Sequence, residues 1–265
     1  MEEGTTVADD VVLYEVIDDH IAIVTLNRPK VRNAVNGEIT QALAKLVKQI
    51  EADDSIRVAV LASSNDRVFC AGADLAEISA GRGHTLMTPD GGFAGFEFAK
   101  RTKPWIAEVR GFALAGGCEL VLSCDMIVAT EDAQFGVPEV KRGLYAGAGG
   151  TFRLPRYIPR NVALELVATG DPITVTRAYE LGLVNRVAPL EQIRETTLGL
   201  ARAISVNAPM SVRESLAVAR LAPEQTEADI RIISQAAADR VFASEDAREG
   251  PLAFLEKRPA KWVGR

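Results

Sequence analysis

Three short runs, Val58–Leu61, Trp105–Val109 and Met126–Ala129, are apolar at almost every position, without the alternation of a half-exposed strand. A strand can carry such a run when both of its faces are covered. Between them lie patterns of helical spacing, the clearest being Val35, Ile39, Leu43, Leu46, Val47 and Ile50, running up to Ala52. Buried strands alternating with helices specify an α/β architecture around a buried sheet. Val11–Leu26 alternates around the polar pair Asp18-Asp19 and predicts a β-hairpin, with His20 as a solvated residue of its turn. Ser79–Phe96 (SAGRGHTLMTPDGGFAGF) is glycine-rich and aperiodic and reads as a long loop, of the kind that forms lids or is disordered. From Leu190 onward the spacing is helical, over 193–204, 209–221 and 226–242, and the closing EGPLAFLEKRPAKWVGR reads as a docking tail.

A chain of 265 residues is near the limit of one hydrophobic core, so one main domain with a smaller appended unit is expected. The polar start, Met1–Asp10, is the segment expected to be disordered. Thirty Lys and Arg against 36 Asp and Glu give a net charge of −6, which argues against a general nucleic-acid or anionic-membrane binder. No apolar run reaches membrane-spanning length and MEEGTTVADD has no basic-then-apolar leader, so a cytoplasmic protein is expected. Cys70, Cys118 and Cys124 are too few for a disulfide framework and form no C-x-x-C pair; they read as reduced thiols serving as small hydrophobes. His84 has no second ligand near it, and no metal site is expected.

Candidate chemistry gathers at three turns of small residues. In VFCAGADLAEI (68–78), Cys70–Ala73 separate a strand signal from a helix signal. Such a turn is either a tight reversal or a place where a ligand approaches backbone N–H groups at a helix start. ALAGGCEL (113–120) repeats the pattern, with Gly116 and Gly117 opening an apolar helix. Two such helix starts aimed at one point would give two convergent N–H donors, the geometry of an oxyanion hole. Glu119 falls in the first turn of that helix, inside a tract almost free of charge, where a carboxylate must be paired, protonated or at work. FGVPEVKRGLYAGAGGTFRL (135–154) holds Glu139 directly after Pro138, which taken alone is an ordinary first-turn glutamate, and a close-approach loop at Gly147, Gly149 and Gly150. The common nucleophile, P-loop, dinucleotide and zinc-protease motifs are absent from the sequence. What remains is backbone donors and carboxylates.

In their order and spacing, LNRPKVRNAV, VFCAGADL, GFALAGGCELVLSCDMIVA, AQFGVPEVKRG, AGAGGTFRLPR, TGDPITVTRAYELGLVNRV and EGPLAFLEKR resemble the enoyl-CoA hydratase/isomerase (crotonase) superfamily over nearly the whole chain. The resemblance implies a spiral of ββα turns over residues 1–200 and a helical C-terminal region, 201–265, that trimerises and covers CoA, in a homotrimer or a homohexamer of two trimers. It implies an acyl-CoA thioester as substrate, no cofactor, and an oxyanion hole at the N–H groups of Ala73 and Gly116. Glu119 and Glu139 match the two hydratase carboxylates; isomerase-type members generally lack the first. Ala71, Asp74 and Leu75 match the segment lining CoA and the acyl entrance, and Phe254 and Lys257 match tail positions that approach CoA, often from a neighbouring subunit.

This chain departs from the family pattern at Tyr145-Ala146-Gly147, where proline usually precedes the glycines, and at Ala115, where a third glycine is common. DGGFAGF (90–96) and the tail look like the carnitinyl-CoA dehydratase branch, whose trimethylammonium substrate would want an aromatic cage, for which Phe93, Phe96 and Tyr145 are conceivable walls. The expectation is an enoyl-CoA hydratase, with carnitinyl-CoA dehydratase as the substrate-level alternative. A non-catalytic acyl-CoA-binding protein would have no use for two pocket glutamates. A glycosidase, which also pairs carboxylates, would normally carry more aromatics than the 6% found here.

Overall fold

The expected hairpin forms as β1 (Val12–Ile17) and β2 (Ile21–Leu26), paired antiparallel. Asp18 and Asp19 both take positive φ, 51° and 60°, which a tight hairpin turn requires and aspartate tolerates. The computed structural model describes residues 11–265, so Met1–Asp10 lie outside the described residues. His20 does stand at the turn, but its ring is half-buried with Nδ1 2.8 Å from the Ser55 carbonyl oxygen. It is held by the strand connection opposite rather than left to solvent.

Helix α1 (Gly37–Ala52) starts at Asn36, whose side chain accepts from the Ile39 N–H at 3.0 Å. It buries Ile39, Leu43, Val47 and Ile50 along one face. The buried Lys103 ammonium donates to the Ile50 and Asp53 carbonyls and so caps the helix end.

One unit then repeats. β3 (Val58–Ser63), β4 (Val68–Cys70) and α2 (Leu75–Ser79) make the first ββα turn. An insertion with the two-residue strands β5 (Met87–Thr88) and β6 (Gly92–Phe93) precedes the second: β7 (Trp105–Val109), β8 (Phe112–Leu114) and α3 (Gly116–Leu122). The third is β9 (Met126–Thr130), β10 (Gln134–Gly136), a 3-10 turn over Pro138–Arg142 and α4 (Gly150–Tyr157). After α5 (Arg160–Thr169), β11 (Ile173–Thr174), α6 (Val175–Glu180) and β12 (Arg186–Ala188), the chain continues as α7 (Ile193–Ser205), α8 (Pro209–Leu221), α9 (Glu227–Ala243) and α10 (Asp246–Leu255). The architecture is the α/β spiral of ββα turns with a helical C-terminal region.

The first strand of each unit joins one sheet, in the order β1-β2-β3-β7-β9-β12, parallel from β2 onward. All of β3 and β7 is buried because both faces are covered. Ala59 and Leu61 face the main core with Trp105 and Phe135, whereas Val58 and Val60 pack against Ile193, Leu198 and Ala201 of α7. The second strand of each unit joins the other sheet, in the order β11-β10-β8-β4. There β4, β8 and β10 run parallel, so their carboxyl ends, and the turns that follow them, lie side by side.

The insertion is more firmly held than its composition suggests, and the tail docks as expected. The 79–96 stretch forms a 3-10 turn and the β5–β6 pair, and it buries Phe93, Ala94 and Phe96. Phe96 meets Trp105 edge to face at 5.0 Å. The closing segment is docked: the Asp246 carboxylate accepts from the N–H groups of Val263 and Gly264, and the Trp262 indole donates to the Val206 carbonyl. All three cysteines are free and buried, and burial pushes the thiols of Cys70 and Cys124 up to about 12.

Candidate active site

The sheet order β10-β8-β4 places the turns after Cys70, Leu114 and Gly136 next to one another. The contact is close. A Cβ on Gly72 would lie 2.9 Å from the Gly116 nitrogen and 2.7 Å from Ala115 Cβ, and a Cβ on Gly117 would strike the Cys70 carbonyl. Only glycine lets α3 begin against the end of β4. The Ala115 N–H donates to the Gly136 carbonyl at 3.0 Å, tying the second turn to the third. Ala115 itself holds φ 52° and ψ −132°, a conformation suited to glycine, so alanine here stores strain beside the site.

The N–H groups of Ala73 and Gly116 are both left out of the backbone ladder. A bridge between Val35 and Ala73 uses the N–H groups of Val35 and Asp74. Gly116 is the first residue of α3, where an N–H has no intrahelical acceptor. Phe93, from the insertion, also packs on Gly116: its Cε1 and Cζ lie 2.6 Å from where a Gly116 Cβ would sit.

Glu119 is 3% exposed, in the first turn of α3. Its Oε1 accepts from the Gly150 N–H at 2.9 Å, at the start of α4. Burial pushes its carboxyl up to about 7; the Gly150 N–H opposes this, and the charges of Glu139 and Glu97 add to it. Glu139 follows Pro138 in the 3-10 turn, half-buried, and burial raises its carboxyl too. Its Oε2 is buried with no hydrogen-bond partner among the described residues, an acceptor poised for a ligand. The structure therefore brings Ala73, Gly116, Glu119 and Glu139 to one place. A cavity of about 680 Å³ opens instead at the far end of α3, lined by Ser123, Asp125, Arg153 and Arg220, and includes neither glutamate.

The other residues singled out from the sequence divide. The Ala71 N–H donates to the Arg32 carbonyl, and Asp74 caps α2 while pairing with Arg28 at 3.1 Å. Leu75 is 51% exposed beside them. Gly147 is exposed, and the atoms nearest to where its Cβ would sit belong to Tyr145; Gly149 and Gly150 are in close approach, and the absent Cβ of Gly150 would lie 3.2 Å from Glu119 Oε1. Phe254 (82% exposed) and Lys257 face outward from α10 and the turn beyond it. Phe93, Phe96 and Tyr145 form no cage. Phe96 is fully buried with the Arg101 guanidinium 3.8 Å above its ring, and Tyr145 is largely exposed. Sequence reasoning missed Glu97 and Arg153, a pair 56 positions apart in which the carboxylate is fully buried and which no local pattern signals.

The sequence profile of the enoyl-CoA hydratase/isomerase family matches residues 17–265. The chain belongs to that family. The enoyl-CoA hydratase of Mycobacterium tuberculosis H37Rv superposes with a TM-score of 0.92 at 40% identity, over 97% of this chain and 100% of that one. A carnitinyl-CoA hydratase from Mycobacterium avium shares 41% identity over 97% of this chain and 99% of its own, with a TM-score of 0.75. The short-chain-enoyl-CoA hydratase of Clostridium acetobutylicum is 35% identical, covering 90% of this chain and 92% of that protein. Among the described residues of this family member, no helix is long and apolar enough to cross a membrane.

Proposed function

We propose that the protein is an enoyl-CoA hydratase that adds water reversibly to a trans-2-enoyl-CoA, giving the 3-hydroxyacyl-CoA. The observation carrying this reading is buried Glu119, its carboxyl raised in part by the charge of half-buried Glu139, beside two N–H groups left out of the backbone ladder. The thioester oxygen lies between the Ala73 and Gly116 N–H groups. Like charges in a buried site favour one proton shared by the two carboxyls. The ionised member takes a proton from water as the water oxygen bonds to Cβ. The C=C electron pair moves onto the thioester oxygen, where the two N–H groups stabilise the enolate. Collapse of the enolate draws the proton of the neutral carboxyl to Cα, and the pair is again singly protonated. Protein groups carry every step, with the CoA thioester as substrate rather than cofactor.

Ala71, Asp74 and Leu75 line the CoA entrance, with Gly147 at the rim of the acyl pocket. Phe254 and Lys257 close over CoA from a neighbouring subunit of a trimer, or of a hexamer of two trimers. The outward apolar residues Ile232, Phe242, Phe254 and Leu255, each more than 70% exposed, support such an assembly. A quaternary-ammonium substrate is the second reading, favoured by the likeness to carnitinyl-CoA hydratase and disfavoured by the covered face of Phe96. The test is Glu119→Gln and Glu139→Gln. Each is expected to lose most turnover while still binding a CoA thioester by calorimetry, and full activity in either variant refutes the two-carboxylate assignment.

A further inference from the structure

Arg153 on α4 is a hub between the two walls of the site. Its guanidinium donates to the Ala148 carbonyl at 3.1 Å and to Ser123 Oγ at 2.9 Å. It also donates to the Glu97 backbone carbonyl at 3.1 Å and lies 3.5 Å from Glu97 Oε1. Gly149 holds φ 111°, a conformation in which a side chain is strained, and the Arg153 guanidinium fills the space where its Cβ would sit. The Ala148–Gly150 turn is thereby clamped, and this turn presents the Gly150 N–H to Glu119. Ser123 Oγ in turn donates to the Glu119 carbonyl, one helical turn back. On the other side, Glu97 is 2% exposed, and its Oε2 accepts from the Phe93 N–H at 3.4 Å. The Phe93 ring packs on Gly116.

We propose that Arg153 and Glu97 are positioning residues for the reaction. Arg153 holds the turn that grips Glu119, and Glu97 holds the ring that backs the Gly116 donor. Neither touches the reacting atoms. The kinetic part of this inference rests on the hydratase reading. A misplacement of the order of 1 Å in such a site costs about 10²-fold in rate.

Three readouts on purified, full-length protein test it. Arg153→Met should lower kcat about 10²-fold with KM changed only a few-fold, and Arg153→Lys should recover part of the loss. In Arg153→Met, amide exchange in the 148–151 segment, followed by mass spectrometry, should quicken. Glu97→Ala removes the acceptor of the Phe93 N–H and should lower kcat with KM changed only a few-fold, whereas the nearly isosteric Glu97→Gln, which can still accept from that N–H, should recover most of the loss. Wild-type kcat and exchange in Arg153→Met, or wild-type kcat in Glu97→Ala, overturns the proposal. If Arg153→Met does not fold, the comparison of Glu97→Ala with Glu97→Gln decides. A wild-type protein without turnover would overturn the hydratase reading instead, and the exchange measurement would still decide the positioning of the 148–150 turn.

Discussion

Gly72→Ala is the sharpest perturbation of the candidate oxyanion hole, because it introduces one methyl group and alters no ionisable residue. That methyl would sit 2.9 Å from the Gly116 nitrogen and 2.7 Å from Ala115 Cβ. An ordinary van der Waals separation is about 3.5 Å or more, so the Gly116 amide must retreat by more than about half an ångström. Hydrogen bonds occupy a narrow window of about 2.7–3.2 Å, and a retreat of that size takes the donor out of it. Loss of one such donor is worth about 10²–10³ in kcat. Gly72 also holds φ 94°, where alanine costs about 1–3 kcal/mol, so the melting temperature falls by several degrees while the fold survives. The assay is the disappearance of the conjugated enoyl-thioester absorbance, with circular dichroism melts in parallel. A folded variant with kcat within about threefold of wild type would refute the convergence of the two turns on one oxygen, since a displaced donor is worth far more.

The carboxylate pair supplies two further expectations. With Glu119 held up to about 7 and Glu139 also raised, kcat/KM should be bell-shaped. It should fall on the acid side as the second carboxyl takes a proton and above about pH 7 as the shared proton is lost; a flat profile argues against a singly protonated pair. The same shift makes Glu119 a cost to folding at high pH. Its folded value lies above the ordinary carboxylate value of 4.5, so the folded chain holds the extra proton, and stability is lost as pH rises from about 4.5 to about 7. Glu119→Gln should therefore be more stable than wild type at about pH 8, by up to about 3 kcal/mol, and nearly equal to it below about pH 5. Denaturant titrations at the two pH values check this, and no gain at the higher pH refutes the buried, uncompensated charge.

The features that could be read in the sequence are those carried by local patterns. The apolar runs at 58–61, 105–109 and 126–129 became β3, β7 and β9, since a strand covered on both faces cannot hide its composition. Gly116-Gly117 announced a helix start because two backbones meet there. The partnership of Glu119 with Glu139 was not local. It depends on β8 and β10 lying side by side, and only the family resemblance pointed to it. The 79–96 insertion looked like a loose loop because its order comes from distant partners. Phe93 packs on Gly116, and Glu97 is fixed by Arg153 across 56 positions. Glycines gave the same lesson: Gly147 and Gly150 look alike in AGAGG, yet only Gly150 meets Glu119, because α4 begins there.

Turnover of a short trans-2-enoyl-CoA in ¹⁸O-labelled water without added cofactor, with the product weighed by mass spectrometry and crotonobetainyl-CoA run beside it, asks directly whether protein groups alone add water to Cβ of an enoyl thioester. Wild type should form a 3-hydroxyacyl-CoA carrying one labelled oxygen, and Glu119→Gln almost none. Tight thioester binding with no labelled product from any enoyl-CoA would rule out the hydratase reading.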